Sequence, residues 1–229
     1  MSWLERPEKK SSNPATKFLE WKSNDKCFAY YDKEKEENVL VPLPLKFVIL
    51  EHYHTVKGWN DASESGIYSN EVLFTGSEEM TVKSFKGGEI AKGVYKDIRS
   101  KVIDAGGRYH RSIYAVTNDL EIINISLKGA AVSEYSNFMD EVGQDDVFTK
   151  NWIEVAEAKE GKKGAVKFTS PVFSKSTAIK DVKKLQPFAT TLQEYMNEYM
   201  TKPTTERVNS TVDAYEASKE SEDEEELAF

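Results

Sequence analysis

The chain has 229 residues, 39% hydrophobic and 31% charged, with a formal net charge of −8. That length suits one sizeable domain with extensions. The lack of any run of about 18 apolar residues, or of an apolar N-terminal stretch, implies neither a membrane span nor a signal peptide. A single cysteine, Cys27, excludes an intrachain disulfide and a multi-cysteine zinc site, and makes the cytoplasm the expected compartment.

Residues 1–25 read as an N-terminal arm, rich in Lys, Ser, Pro and Asn from 5 to 17, with Trp3 and Leu4 able to dock. A body over residues 26–202 follows. Strand texture begins with Cys27-Phe28-Ala29-Tyr30-Tyr31 and continues from Val39 to Val56, where Pro42 and Pro44 mark an edge or a bend. Further strands are expected over residues 67–74 and 80–85. After Gly87-Gly88, the spacing of Ile90, Val94, Ile98, Val102 and Ala105 predicts an amphipathic helix that stops at Gly106-Gly107.

Strands resume over residues 109–117 and 120–127, with Asn118-Asp119 as their turn. A short helix is expected around residues 133–142, with Phe138 and Met139 on one side. Residues 152–158 and 165–173 form a predicted hairpin whose tip carries Lys159, Lys162 and Lys163. A last helix should start at Pro187, a favourable first position, and present Phe188, Leu192, Tyr195, Met196 and Tyr199 on one face. This order predicts an α+β, mainly β protein, an OB-fold-like antiparallel barrel with added strands and helices. Other antiparallel α+β folds fit nearly as well.

The charge is unevenly placed. Residues 203–229 carry nine acids against Arg207 and Lys219, a net of −7, which leaves −1 for the rest of the chain. The final segment, Ser-Lys-Glu-Ser-Glu-Asp-Glu-Glu-Glu-Leu-Ala-Phe, is therefore expected to be a disordered acidic tail with an apolar tip. Phe229 would place a ring and a carboxylate on one residue, which suits a small apolar pocket rimmed by cations. A purely solubilising tail is the plain alternative, but it gains nothing from exposing Leu227 and Phe229.

This tail resembles those of single-stranded DNA-binding proteins of bacteria and bacteriophages, which end in clustered acids and a terminal phenylalanine. The match covers about the last ten residues. The bacterial form has proline where this chain has Ala228, so the phage tails are the closer likeness, and the body also looks like that of a phage replication protein. The resemblance implies that Glu224, Glu225, Glu226, Leu227 and Phe229 bind replication proteins such as a polymerase, helicase or primase, and that the tail competes with DNA for a basic groove.

Binding single strands requires flat side chains for base stacking and cations that follow the phosphates. Arg108-Tyr109-His110-Arg111 has both on one strand, where alternation puts Tyr109 and Arg111 on one face and Arg108, His110 and Tyr114 on the other. Lys57, Trp59, Tyr68, Lys83 and Lys86 lie on or near neighbouring strands, and Lys162 and Lys163 could clamp the backbone. Strand aromatics are more often core than platform, so each assignment has a packing alternative.

Gly87-Gly88 before a helix suggests a phosphate loop, but no Gly-Lys-Ser/Thr completes one, and a turn is the better reading. His52 and His54 share a strand face without a third metal ligand, so two partly buried histidines are expected. Asp140-Glu141 and Asp145-Asp146 are acidic pairs that could hold magnesium in a nuclease, but beside a predicted short helix a solvated face is the better reading. Neither a cofactor nor an enzyme is expected. The expected function is single-stranded DNA binding in phage replication, recombination or repair, with a non-enzymatic adaptor acting through its tail as the alternative.

Overall fold

The computed structural model describes residues 12–143, 148 and 150–216, the last five through their backbone only. Three strands come first, β1 (Lys17–Lys22), β2 (Cys27–Asp32) and β3 (Glu37–Val41), paired as an antiparallel meander. β1 falls inside the segment expected to be a loose arm. It is instead an interior strand, because Leu19, only 2% exposed, enters the core with Phe28 and Ile125, and because residues 17–20 pair in parallel with β9 (Ile122–Lys128).

Pro42 and Pro44 separate the edge strand β3 from β4 (Leu45–Asn60). β4 is the spine of the sheet. It pairs with β8 (Gly107–Thr117) over residues 47–58, while its other side takes β10 (Asn151–Lys163) at residues 45–47 and β5 (Ser65–Ser69) at residues 57–60. β5 is shorter than the strand expected over 67–74, and beyond it only Val72 returns to β4, through a two-way backbone bridge with His54.

β6 (Glu79–Ser84), β7 (Gly88–Val94) and α1 (Tyr95–Asp104) complete this end of the molecule. The helix expected over 90–105 is thus strand in its first third. Its apolar spacing fits both periods, but the turn at Gly87-Gly88 folds residues 88–94 back onto β6, which satisfies their backbone, and Gly93 disfavours helix. Gly106 ends α1 with φ of 98°, and a Cβ there would sit 2.0 Å from the Trp59 carbonyl oxygen, so the stop requires glycine.

β8 and β9 are buried on both faces, and a four-residue loop joins them rather than the two-residue turn expected at Asn118-Asp119. Next come α2 (Ala130–Val142) and the hairpin of β10 and β11 (Val166–Ala178), whose two-residue turn has Gly164 at φ of 61°. α3 (Val182–Thr201) begins five residues before Pro187, which lies inside it and costs it one backbone bond. Last is α4 (Thr204–Glu216), helical where the acidic tail was expected to begin. Glu224, Glu225, Glu226, Leu227 and Phe229 lie outside the described residues.

The sheet runs β3-β2-β1-β9-β8-β4-β5-β6-β7, with β10 and β11 branching from β4. All its pairings are antiparallel except β1 with β9, so the protein is α+β and mainly β, with an open mixed sheet. The expected barrel does not close. β1 and β2 occupy the flank of β9, and β11 reaches them through side chains rather than a ladder: Trp21 Nε1 donates to the Thr169 carbonyl at 3.0 Å and the Thr169 N–H to Ser23 Oγ at 2.7 Å. No described helix is long and apolar enough to cross a membrane.

Two helices cover opposite faces. α2 packs Ala131, Tyr135, Phe138 and Met139, a helical spacing, onto Phe47, Ile49, Ile113, Ile123 and Ile125. α3 packs Leu192, Tyr195, Met196 and Tyr199 onto Val48, Tyr53, Tyr114 and Val116, with Phe188 at the margin, which is the face expected of it. A third core joins α1, through Ile98 and Val102, to Val56, Ile67, Met80 and Val82.

Candidate nucleic-acid interface

A bulge in β4, between Ile49 and Glu51, sets which side chains lie on the face that α2 covers. Strict alternation from Phe47 and Ile49 would send Glu51 and Tyr53 toward α2. The extra residue shifts the phase, so His52 and His54 face α2 while Tyr53 turns to α3. Directly opposite on β8, His54 pairs with Arg111, and Tyr109 stands one alternation away on the same face.

The result is one cluster of six half-buried or buried rings around one guanidinium. Arg111 Nη1 donates to His54 Nε2 at 2.9 Å, His54 Nδ1 bonds the Tyr109 hydroxyl, and His52 Nδ1 bonds the Tyr135 hydroxyl at 2.9 Å. Tyr95, the first residue of α1, lies against Tyr109 with ring centroids 5.5 Å apart, and Phe148 meets His52 edge-on at 5.3 Å. Burial, and then the charge of Arg111, pushes both imidazoles down to about 4, so they are neutral at pH 7. Burial raises the Tyr109 and Tyr135 hydroxyls, with Arg111 pulling each back. Arg111 is therefore the positive centre of this face.

The opposite face of β8 is polar but closed. Tyr114 donates to Glu71 Oε2 at 3.1 Å, Asn124 to Ser112 Oγ at 2.7 Å, and His110 Nδ1 bonds Ser126 Oγ at 2.9 Å, all among buried residues. The register sets Arg108, Lys57, Tyr68 and Lys83 in one row on this side, across β8, β4, β5 and β6. Two of them cannot serve as contacts. Lys57 is 6% exposed, and burial brings its ammonium down to about 8 against the pull of Glu20 and Glu71. Tyr68 is 7% exposed, folded over Gly66 and covered by Val208 of α4.

The other predicted residues are accessible and dispersed. Trp59 is 44% exposed at the end of β4. Lys83 is half-buried, and Lys86 is exposed with Nζ on the Glu64 carbonyl at 3.3 Å. Arg108, also exposed, donates to the carbonyls of Ile103 and Gly107 at the end of α1, a helix-capping use of its charge. Lys162 and Lys163 are exposed at the end of the β10-β11 hairpin.

Of the predicted set, then, Tyr109 and Arg111 share a site, and their alternation is as expected. His52 and His54 are the partly buried pair the sequence implied, although the bond of His54 to Arg111 was not anticipated. Tyr95 was missed because it stood inside an assumed helix. Tyr135 was missed because its i+3 and i+4 neighbours, Phe138 and Met139, mark it as core. Gly87-Gly88 is the turn between β6 and β7, and Asp140 and Glu141 are exposed at the end of α2, while Asp145 and Asp146 lie outside the described residues. The chain matches no family model, no curated protein and no solved structure.

Proposed function

We propose that the chain binds single-stranded DNA without sequence preference and acts in DNA replication, recombination or repair of the phage type. The observation that carries this reading is the grouping of Tyr95, Tyr109 and His54 around Arg111, half-buried, with no carboxylate paired to that arginine among the described residues. Flat rings beside a cation that no described carboxylate neutralises provide what a single strand offers surfaces for, its base faces and its phosphates. Arg99, within reach of Tyr95, and the lysines of the β10-β11 hairpin extend positive charge to either side.

The element order supports an OB-like reading of the body. β4, β8 and β9 form a meander, α2 follows, and the β10-β11 hairpin returns to pair with β4. In OB-type domains the second and third strands and the loops beside them meet oligonucleotides. The corresponding parts here are β8 and β9, the β5-α1 insertion and the hairpin tip. The acidic tail would recruit replication proteins through Leu227 and Phe229, in the cytoplasm, and would compete with DNA as a polyanion.

Titration with oligo-dT, followed by tryptophan fluorescence, tests this function. Quenching that weakens with salt, and far weaker binding of duplex DNA, are the expected results. Equal affinity for both forms rules out stacking, and no binding leaves the adaptor role. Deleting residues 217–229 should tighten binding at low salt, and unchanged affinity removes the competition.

A further inference from the structure

Hydrogen-bond supply in the Arg111 cluster is unbalanced. Arg111, the neutral His52 and His54, Tyr109 and Tyr135 hold about nine donor hydrogens against about four acceptor atoms. The direction of each bond follows from this. His54 accepts from Arg111 at Nε2, so it carries its proton on Nδ1 and donates to Tyr109, whose own hydroxyl hydrogen then points elsewhere. Nη1 of Arg111 is committed to His54, and its Nε–H is buried with no partner. The side edge of the guanidinium, Nε with Nη2, is the edge that meets two oxygens of a phosphate in a fork, and it has no acceptor among the described residues.

Nearby acidity does not correct the imbalance. Glu51, on the adjacent position of β4, turns Oε1 to the backbone N–H of His52 at 2.9 Å, and Glu71 lies on the other face with Tyr114. A buried donor left unmade is costly, so an unpaired Nε–H in a half-buried cluster favours a ligand that brings acceptors and negative charge. Amino groups of bases add donors and do not fit.

We propose that the Nε–Nη2 edge of Arg111, with the Tyr109 hydroxyl, is a subsite for one phosphodiester group, and that His54 is a positioning residue fixing the guanidinium. This rests on the single-strand reading above and adds to it a specific phosphate contact. The anion chemistry is shared with inorganic phosphate, but the flanking rings of Tyr95 and Tyr109 favour a phosphate that carries a base.

The test uses the full chain and oligo-dT, with salt dependence and the NMR signal of the Arg111 Nε–H as readouts. Arg111→Gln should weaken oligo-dT binding about 10- to 100-fold and reduce the slope of log K against log salt by about 0.7, the share of one single-strand phosphate. Arg111→Lys should keep the slope while losing affinity. In the unaltered protein the Nε–H signal should shift with oligo-dT, less with a methylphosphonate oligo-dT, and not with inorganic phosphate at equal concentration. If oligo-dT binds normally with the slope unchanged in Arg111→Gln and the Nε–H signal unmoved, the subsite is wrong while the function stands. If phosphate alone moves the signal and oligo-dT does not, the strand assignment is wrong. Absence of any oligo-dT binding removes the function itself.

Discussion

Acidification from pH 7 to pH 5 should destabilise the fold through His52 and His54. Both are held down to about 4 in the folded protein, chiefly by burial and then by Arg111. In the unfolded chain each titrates near the ordinary value of about 6.5. The unfolded state therefore takes up protons that the folded state refuses, and stability, complete above about 6.5, is lost progressively toward pH 4. For one histidine with those two values, linkage gives about 1.8 kcal/mol between pH 7 and pH 5. The rings are partly solvated and share one pocket, so about half of the summed effect, roughly 2 kcal/mol for the pair, is the expected magnitude.

Glu51 and Glu71 act in the opposite sense, because burial raises their carboxyls and the folded state then binds their protons more readily. The measurement must isolate the histidines. Urea unfolding at pH 7 and pH 5 should be compared between the protein and a His52→Asn, His54→Gln variant, in which the amides replace the ring hydrogen bonds without titrating. With a slope of about 2 to 3 kcal/mol per molar urea, the unaltered protein should lose about 0.7 to 1 M more of its midpoint than the variant. An equal loss in both would falsify the claim that these imidazoles are buried and neutral.

Three further outcomes follow from the placement of individual residues. Leu19→Ala should cost about 2–5 kcal/mol in denaturant unfolding, as core deletions do, because β1 is an interior strand; a cost under 0.5 kcal/mol, on the order of a surface change, would return it to the arm. Tyr68→Ala should destabilise by about 3–5 kcal/mol, whereas Tyr109→Phe should leave the fold intact and weaken oligo-dT binding, so the two tyrosines separate in a paired thermal-melt and binding assay. Lys162→Glu with Lys163→Glu should leave the melting temperature unchanged and lower single-strand affinity and its salt slope; binding indifferent to this change excludes the hairpin from the interface.

Periodicity recovered the helices whose two faces differ in burial. α2 and α3 stood out because polar and apolar residues alternate along them at the helical period. Residues 88–94 did not, since Ile90, Val94 and Ile98 fit a helix and a strand-to-helix junction equally, and only the pairing of Ala91 with Val82 decides between them. β1 was hidden for a related reason: a six-residue strand with one fully buried side chain has no pattern of its own, and its place depends on β9, more than a hundred residues away.

The site divides in the same way. From the amino-acid sequence alone came the alternation of Tyr109 and Arg111, the shared face of His52 and His54, and the concentration of negative charge after residue 203. Each is a local property, set by strand period or by composition. The tertiary structure decided which of these faces meet. A single extra residue in β4 turned the histidines toward Arg111, burial removed their charge, and α4 covered Tyr68. Register and burial depend on partners distant in the chain, and for that reason a candidate platform spread over ten residues became one cluster around a single arginine.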